Sequence, residues 1–312
     1  MTKRPRGVRP ALLLALLAGC RPAVERPEFP PDLAWSFLTT QMAFGPRYAG
    51  HRGHDRQLEW LREQLAARAD TVLAGSFTHR AADGATLRLT NLLARFRPEL
   101  PRRVLLAAHW DTRRYADQSA PGPDRRRPIP GANDGAAGTA VLLGLAELLA
   151  QQPPEVGVDL LFTDGDDYGP GAEDMSLGTR HYLASSPPGA RAHAAVVVDM
   201  VGERRARFPR EGFSLARSRW LVDGLWATAG GLGLDTVFVA DSVPPVPDGR
   251  LRLLAMAGIP AAIITDPEYG PGNRYWHTVD DQVRQLDRAS LGAVGEVLAE
   301  WVYRVLPREE RP

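Results

Sequence analysis

Residues 104–150 read VLLAAHWDTRRYADQSAPGPDRRRPIPGANDGAAGTAVLLGLAELLA. The apolar run Val104–Ala108 is a buried strand by pattern. It delivers His109 and Asp111 at its carboxyl end, two residues apart and so on one face of the extended chain. A polar, proline-rich loop leads to Gly131-Ala132-Asn133-Asp134-Gly135, and a helical pattern then runs from Ala136 to about Gln151, which puts Asp134 at the helix start. A histidine, a neighbouring carboxylate and a second carboxylate at a helix mouth together form a corner suited to a metal ion.

The same arrangement recurs along the chain. Val158–Thr163 is an apolar run ending in Asp164-Gly165-Asp166-Asp167, Ala194–Val198 ends in Asp199, and Ala261–Thr265 is followed by Trp276-His277-Thr278. Helical patterns at 178–185, 217–229, 250–257 and 288–305 lie between or after these strands. Upstream, helices are expected over 32–42 and 53–69, and a hairpin over 71–78 and 86–96 turning at Ala82-Asp83-Gly84. The alternation predicts an α/β fold with a mixed, largely parallel central sheet and helices on both faces. Open sheets of this kind bind ligands beyond the carboxyl ends of their strands. That is where His109, Asp134, Asp167, Asp199 and His277 fall, and imidazole nitrogen with carboxylate oxygen suits zinc. Asp164 and Asp266 read as turn or cap residues.

At the amino terminus, Lys3, Arg4, Arg6 and Arg9 precede an apolar run, Ala11–Leu17, of the length of a signal h-region. The following Leu17-Ala18-Gly19-Cys20 resembles the lipobox of bacterial lipoproteins, which implies removal of residues 1–20 and lipidation at Cys20. Arg21 after that cysteine implies the outer membrane of a Gram-negative cell envelope. Residues 21–31, with four prolines in eleven positions, read as a tether; 32–306 form one α/β domain and 307–312 a flexible tail. Cys20 is the single cysteine, so no intrachain disulfide is available. With 38 basic and 37 acidic residues, the chain is not a nucleic-acid binder driven by phosphate attraction.

In their order and spacing, Phe44-Gly45-Pro46-Arg47, Asn91-Leu92-Leu93, His109-Trp110-Asp111-Thr112, Gly131–Gly135, Asp166-Asp167-Tyr168-Gly169, Leu177-Gly178-Thr179-Arg180 and Trp276-His277-Thr278 resemble a known family. It is that of the zinc-dependent aminopeptidases and glutaminyl-peptide cyclotransferases, which share one α/β fold of zinc-aminopeptidase, phosphorylase-like type. The nearest likeness is to its bacterial cyclase branch. The resemblance implies a zinc ion held by Asp134, Asp167 and His277. In the two-metal peptidases Asp134 would bridge to a second ion on His109 and Asp199, so one zinc, or two, is implied. It further implies that Asp111 orients His109, that Asp166 is the general acid/base, that Asp199 and Asp248 support the substrate amine or Asp166, and that Trp276 walls the glutamine pocket. Crowded carboxylates are expected to raise the proton affinity of Asp166.

Three positions depart from the family pattern. Asp166 stands where a glutamate is usual, the pocket tryptophan expected near 172–176 is replaced by nothing larger than Met175, and Asp248 lies further from Gly258-Ile259-Pro260 than the pattern calls for. The implied activity is cyclisation of an N-terminal glutamine to pyroglutamate with release of ammonia. The alternatives are an aminopeptidase and a weakly active peptide-binding surface lipoprotein. The clusters Arg125–Arg127 and Arg204-Arg205 read as solvated loops, and His51, His54, His79, His181 and His193 as surface or packing residues. Asn91 is a candidate for the site's floor. The chain carries no Gly-rich phosphate loop and no Ser or Cys nucleophile elbow.

Overall fold

A computed structural model describes residues 26–186 and 192–308. The expected signal peptide with Cys20, tether residues 21–25 and tail residues 309–312 lie outside the described residues. In chain order the elements are α1 (Pro31–Ala43), α2 (Arg52–Ala66), β1 (Thr71–Arg80), β2 (Thr86–Phe96), β3 (Arg103–His109), α3 (Gly138–Gln151), β4 (Gly157–Thr163), α4 (Leu177–Ser185), β5 (Ala194–Val198), β6 (Phe208–Glu211), α5 (Gly212–Gly231), β7 (Phe238–Val243), α6 (Gly249–Met256), β8 (Ala261–Ile264) and α7 (Arg288–Glu300).

Six strands form the main sheet in the order β1-β2-β4-β3-β5-β8. The β1–β2 and β2–β4 pairs are antiparallel, while β4–β3, β3–β5 and β5–β8 are parallel. The apolar runs are continuous because both faces are covered. Val104, Leu106 and Ala108 pack into the large core with α1, α3 and α7, whereas Leu105 and Ala107 face a smaller core containing Leu251 and Leu254 of α6. The outer edge of β8 is closed by α5, where Ser218 Oγ accepts from Ala261 N at 2.9 Å and Ser214 Oγ from Ile263 N at 3.2 Å. These hydroxyls occupy amides that would otherwise form an open sheet edge.

Two features correct the expectations. A separate parallel pair, β6–β7, is present where no strand was anticipated: β6 is four residues long and contains Pro209, so it has no alternating signature. The described part of the proline-rich stretch, residues 26–31, is docked rather than free. Phe29 is buried between Gly144 and Gly295, and Arg26 pairs with Glu296 and Glu300 at 2.5 and 2.6 Å, so one aromatic and one cation override the proline signal. Among the described residues no helix is long and apolar enough to cross a membrane.

Candidate metal centre

The parallel strands β4, β3, β5 and β8 end at one rim, and their continuations supply the site. His109, the last residue of β3, is buried, with Nε2 3.0 Å from Asp134 Oδ1 and 3.4 Å from Asp199 Oδ1. Asp134 lies in the wide turn Ala132–Ala137 that precedes α3. Its Oδ2 is 3.2 Å from His277 Nε2, which in turn is 3.4 Å from Asp167 Oδ1. Two sets of ligand atoms therefore converge, His109–Asp134–Asp199 and Asp134–Asp167–His277, each within 4.8 Å of one another and sharing Asp134. Gly135 permits this approach: a Cβ there would meet His109 Nε2 at 2.5 Å.

A second set of residues holds this geometry. Asp111 accepts from the backbone amides of Asp166 and Asp167 at 3.3 and 3.2 Å, tying the loop after β4 to the end of β3. Its Oδ1 is also 3.3 Å from His109 Nδ1, off the line of a well-aligned hydrogen bond. Asp281 accepts from the amides of Asn133 and Asp134 and from Tyr269 Oη. Asn91 lies one step further out, binding Gly178 O and accepting from Asp164 N, so it anchors loops rather than flooring the cavity. Asp164 is more than a turn residue: it is fully buried, accepts from Thr90 N and is 2.9 Å from His54 Nε2. Asp266 does serve as a turn acceptor, for Arg207 N and Glu268 N.

The charge balance calls for a cation. Burial alone would lower the His109 and His277 pKa values, but the surrounding aspartates outweigh it, raising His109 well above the ordinary range and His277 to about 9. Asp134 resists burial and is held well below the usual carboxylate range by the two imidazoles. A metal would replace those two protons. Asp167 Oδ2 and Asp199 Oδ1 are buried without hydrogen-bond donors, and the nitrogen and oxygen donor set suits zinc, so the residues fit that ion.

Asp166 lies beside Asp167 and lines the cavity. Thr179 donates to it twice, from N at 2.9 Å and from Oγ1 at 2.6 Å. Its pKa is raised: burial is the largest cause, Arg250 and Thr179 offset it, and the neighbouring carboxylate of Asp111 adds a smaller rise. The expected crowding thus contributes through Asp111, with desolvation the larger cause. Asp199 and Asp248, the carboxylates expected to support Asp166 or an amine, both line the cavity, and Arg250 Nη2 donates to each of them. Asp248 additionally caps α6, accepting from Leu251 N at 3.0 Å. A cavity of about 350 Å³ opens over these groups. Trp276 lines it, stacked on His277 with ring centroids 3.9 Å apart, while Met175, Val246 and Ile263 supply apolar wall.

Arg250, Arg113 and Asp281 were not singled out from the sequence, and Thr179 stood there only within the Leu177-Gly178-Thr179-Arg180 motif, without a role. Arg250 left one trace, since a cation in the first turn of a helix opposes the helix dipole and implies a carboxylate partner. Arg113 donates to Asp167 Oδ1 at 2.8 Å across 54 positions, a contact that no local pattern marks.

Glutaminyl-peptide cyclotransferase of Bos taurus is 26% identical over 307 residues, covering 83% of this chain and 78% of its own length. The crystal structure of Bacteroides thetaiotaomicron glutaminyl cyclase bound to N-acetylhistamine superposes with a TM-score of 0.85 at 32% identity, covering 92% of this chain and 100% of its own. A Zn-dependent exopeptidase from Parabacteroides distasonis gives a TM-score of 0.85 at 31% identity, over 89% and 99% of the two chains. The profile of peptidase family M28 matches residues 91–302, a span that carries every residue of both triads, and this chain belongs to that family.

Proposed function

We propose that this protein is a zinc-dependent glutaminyl-peptide cyclotransferase. The α-amine of an N-terminal glutamine attacks its own γ-carboxamide carbon, the ring closes to pyroglutamate and ammonia leaves. The observation that carries this reading is the stack of Trp276 on His277, which walls a small, partly apolar cavity beside the carboxylate cluster. Such a cavity suits one short side chain carrying a neutral amide. The cyclotransferase relatives, matched over most of their length, support it.

Asp134, Asp167 and His277 would hold zinc, which when bound supplies a positive charge to polarise a carbonyl. Asp166 takes the proton from the attacking amine and returns it to the departing ammonia, and a raised proton affinity suits a group that must do both near neutral pH. Thr179 fixes the direction of that carboxylate. Trp276 orients the side chain and excludes water.

A soluble fragment beginning at Arg21 tests this. Incubated with a glutamine-initiated peptide, it should release ammonia and leave the chain length unchanged, whereas a released amino acid overturns the proposal. That second outcome, aminopeptidase activity, is favoured by the pairing of the two triads through Asp134. We further propose that the protein is exported and lipid-anchored at Cys20 in a Gram-negative cell envelope, on the strength of residues 3–20. Incorporation of labelled palmitate by the parent and not by Cys20→Ser is the expected result.

A further inference from the structure

A second cleft lies at the pole of the domain opposite the metal cavity. β8 begins at Ala261, level with the starts of β5 and β3, so the Gly258-Ile259-Pro260 turn that leads into it sits at the amino ends of the parallel strands. There a cleft of about 520 Å³ opens between the first turns of α5 and the end of α6. Arg217 and Arg252 lie over the ring of Phe213, with Cζ 5.9 and 5.4 Å from its centroid, and Ile259 and Pro260 line the cleft beside Met256, which is 84% exposed. A lone exposed methionine is ordinary. This one adjoins cations without counter-charge: among the described residues Arg217, Arg252 and the following cation on α5, Arg219, make no ion pair and no side-chain hydrogen bond. Neither 212–222 nor 249–264 contains an acidic residue.

The chain also meets the domain on this side. α3 and α7 both run away from the rim, for Asp287 N, just before α7, donates to Gly202 O beyond the end of β5, and Tyr303 Oη, just after α7, donates to Leu148 O in the last turn of α3. Arg26 pairs with Glu296 and Glu300 in the second half of α7. Six residues separate Arg26 from Cys20, a reach of about 20 Å at full extension. Lipid on Cys20, as proposed, would hold this pole close to a bilayer. We infer that the Phe213–Arg217–Arg252 cleft, with Met256, is a membrane-facing surface that takes the phosphates of anionic phospholipids. The free guanidinium edges donate to phosphate oxygens, Met256 enters the acyl boundary, and the metal cavity at the other pole opens to the aqueous phase. The inference goes beyond the proposed reaction and stands with or without the anchor.

The chain from Arg21, which carries no lipid, is the protein to test. Without Lys3, Arg4, Arg6 and Arg9 it holds 34 basic and 37 acidic residues, so its overall charge is repelled by an anionic surface and attraction must come from a patch. Co-sedimentation at low ionic strength with vesicles of phosphatidylcholine alone, and of equal parts phosphatidylcholine and phosphatidylglycerol, should show binding to the second only. Arg217→Gln/Arg252→Gln should weaken that binding about 30-fold, or about fivefold for each arginine. Arg52→Gln/Arg56→Gln, the same charge change on exposed arginines at the start of α2, should leave it unchanged. Should the first double variant fail to fold, the single changes Arg252→Gln and Met256→Ser, both at exposed positions, are each expected to weaken binding and decide the matter. Equal binding to both vesicles, binding to neither, or full retention by the cleft variants overturns the inference. So does a parent that ignores the vesicles and is stabilised against heat by inorganic phosphate through the same arginines, since the cleft would then take a soluble anion. Because the readout is sedimentation, a protein that binds anionic vesicles and cyclises nothing refutes the proposed function and leaves this inference standing.

Discussion

Tyr269 donates its hydroxyl to Asp281 Oδ1 at 2.8 Å, and the carboxylate so fixed receives the backbone amides of Asn133 and Asp134 at 2.8 and 3.2 Å. The turn that presents Asp134 to both triads is thus held from beneath by a residue 147 positions away. Burial and the nearby Asp134 push the Asp281 carboxyl up to about 7, the cost of placing an acceptor there. Asp281→Asn leaves one oxygen for three donors and brings in an amide NH₂ with no acceptor to meet. Zinc affinity should fall about 10- to 100-fold, as for other changes to groups that orient a ligand. Competition against a chromophoric chelator measures it, and an unchanged affinity would mean the turn is held by other contacts.

Asp166 and Thr179 make a separable pair. Asp166→Asn removes the proton carrier, and kcat should fall roughly 10²- to 10⁴-fold with little change in KM. Thr179→Val removes one hydrogen bond to the ionised carboxylate. That bond favours the charged form, so its loss raises the Asp166 pKa and moves the acidic limb of the kcat/KM profile to higher pH. A limb that stays in place would assign the titration to another group.

Trp276 should act on binding more than on chemistry. Trp276→Ala removes one wall of the cavity and the stack on His277, with an expected rise in KM of about tenfold, corresponding to roughly 1.4 kcal/mol. Trp276→Phe keeps an apolar ring and should recover most of that loss. Equal kinetics for the three proteins would remove Trp276 from the substrate pocket.

What the sequence disclosed and what it withheld divide along one physical line. His109, Asp167 and Asp199 were legible because each follows a continuous apolar run, and such runs are strands buried on both faces whose ends share a rim. His277 and Asp134 were legible through the local wording around them. The Arg250–Asp199 pair spans 51 positions and the Asp281–Asn133 bond 148, and no local pattern encodes a contact between side chains that far apart. The β6–β7 pair escaped because β6 is too short to show a period, and the docking of Phe29 because prolines outweighed one aromatic.

Removal of metal should destabilise the protein in a pH-dependent way. In the metal-free state His277 takes up a proton with a pKa raised to about 9, against an ordinary value of 6.5 in the unfolded chain. The stabilisation from that proton is fully present below about 6.5 and is lost as pH rises through about 9. Chelator-treated protein should therefore lose melting temperature between those values, while zinc-saturated protein should not. With free zinc at about 100 times its dissociation constant, the ion itself contributes roughly 2.7 kcal/mol. Parallel melting curves of the two forms across this range are the check, and curves of equal slope would exclude His277 from the cation site.

A second pH effect should arise away from the centre. Glu203 accepts from Gly270 N with both oxygens at 3.1 Å, and Asp266 accepts from Arg207 N and Glu268 N. Burial pushes both carboxyls up to about 6, helped at Glu203 by repulsion from Asp266 and then Glu268, and at Asp266 by repulsion from Glu268. Their folded values lie above their unfolded ones, so the folded state binds more protons between about pH 4 and 6. Stability from these groups is greatest at the acidic end of that window and is lost as pH rises through about 6. Glu203→Gln keeps a carbonyl for Gly270 N and removes the charge. At pH 8 it should melt above the parent by about 2 °C, a value discounted for solvent screening at a half-buried group, and at pH 4.5 the two should coincide. A variant that melts lower than the parent at both values would show that the second oxygen on Gly270 matters more than the charge it carries.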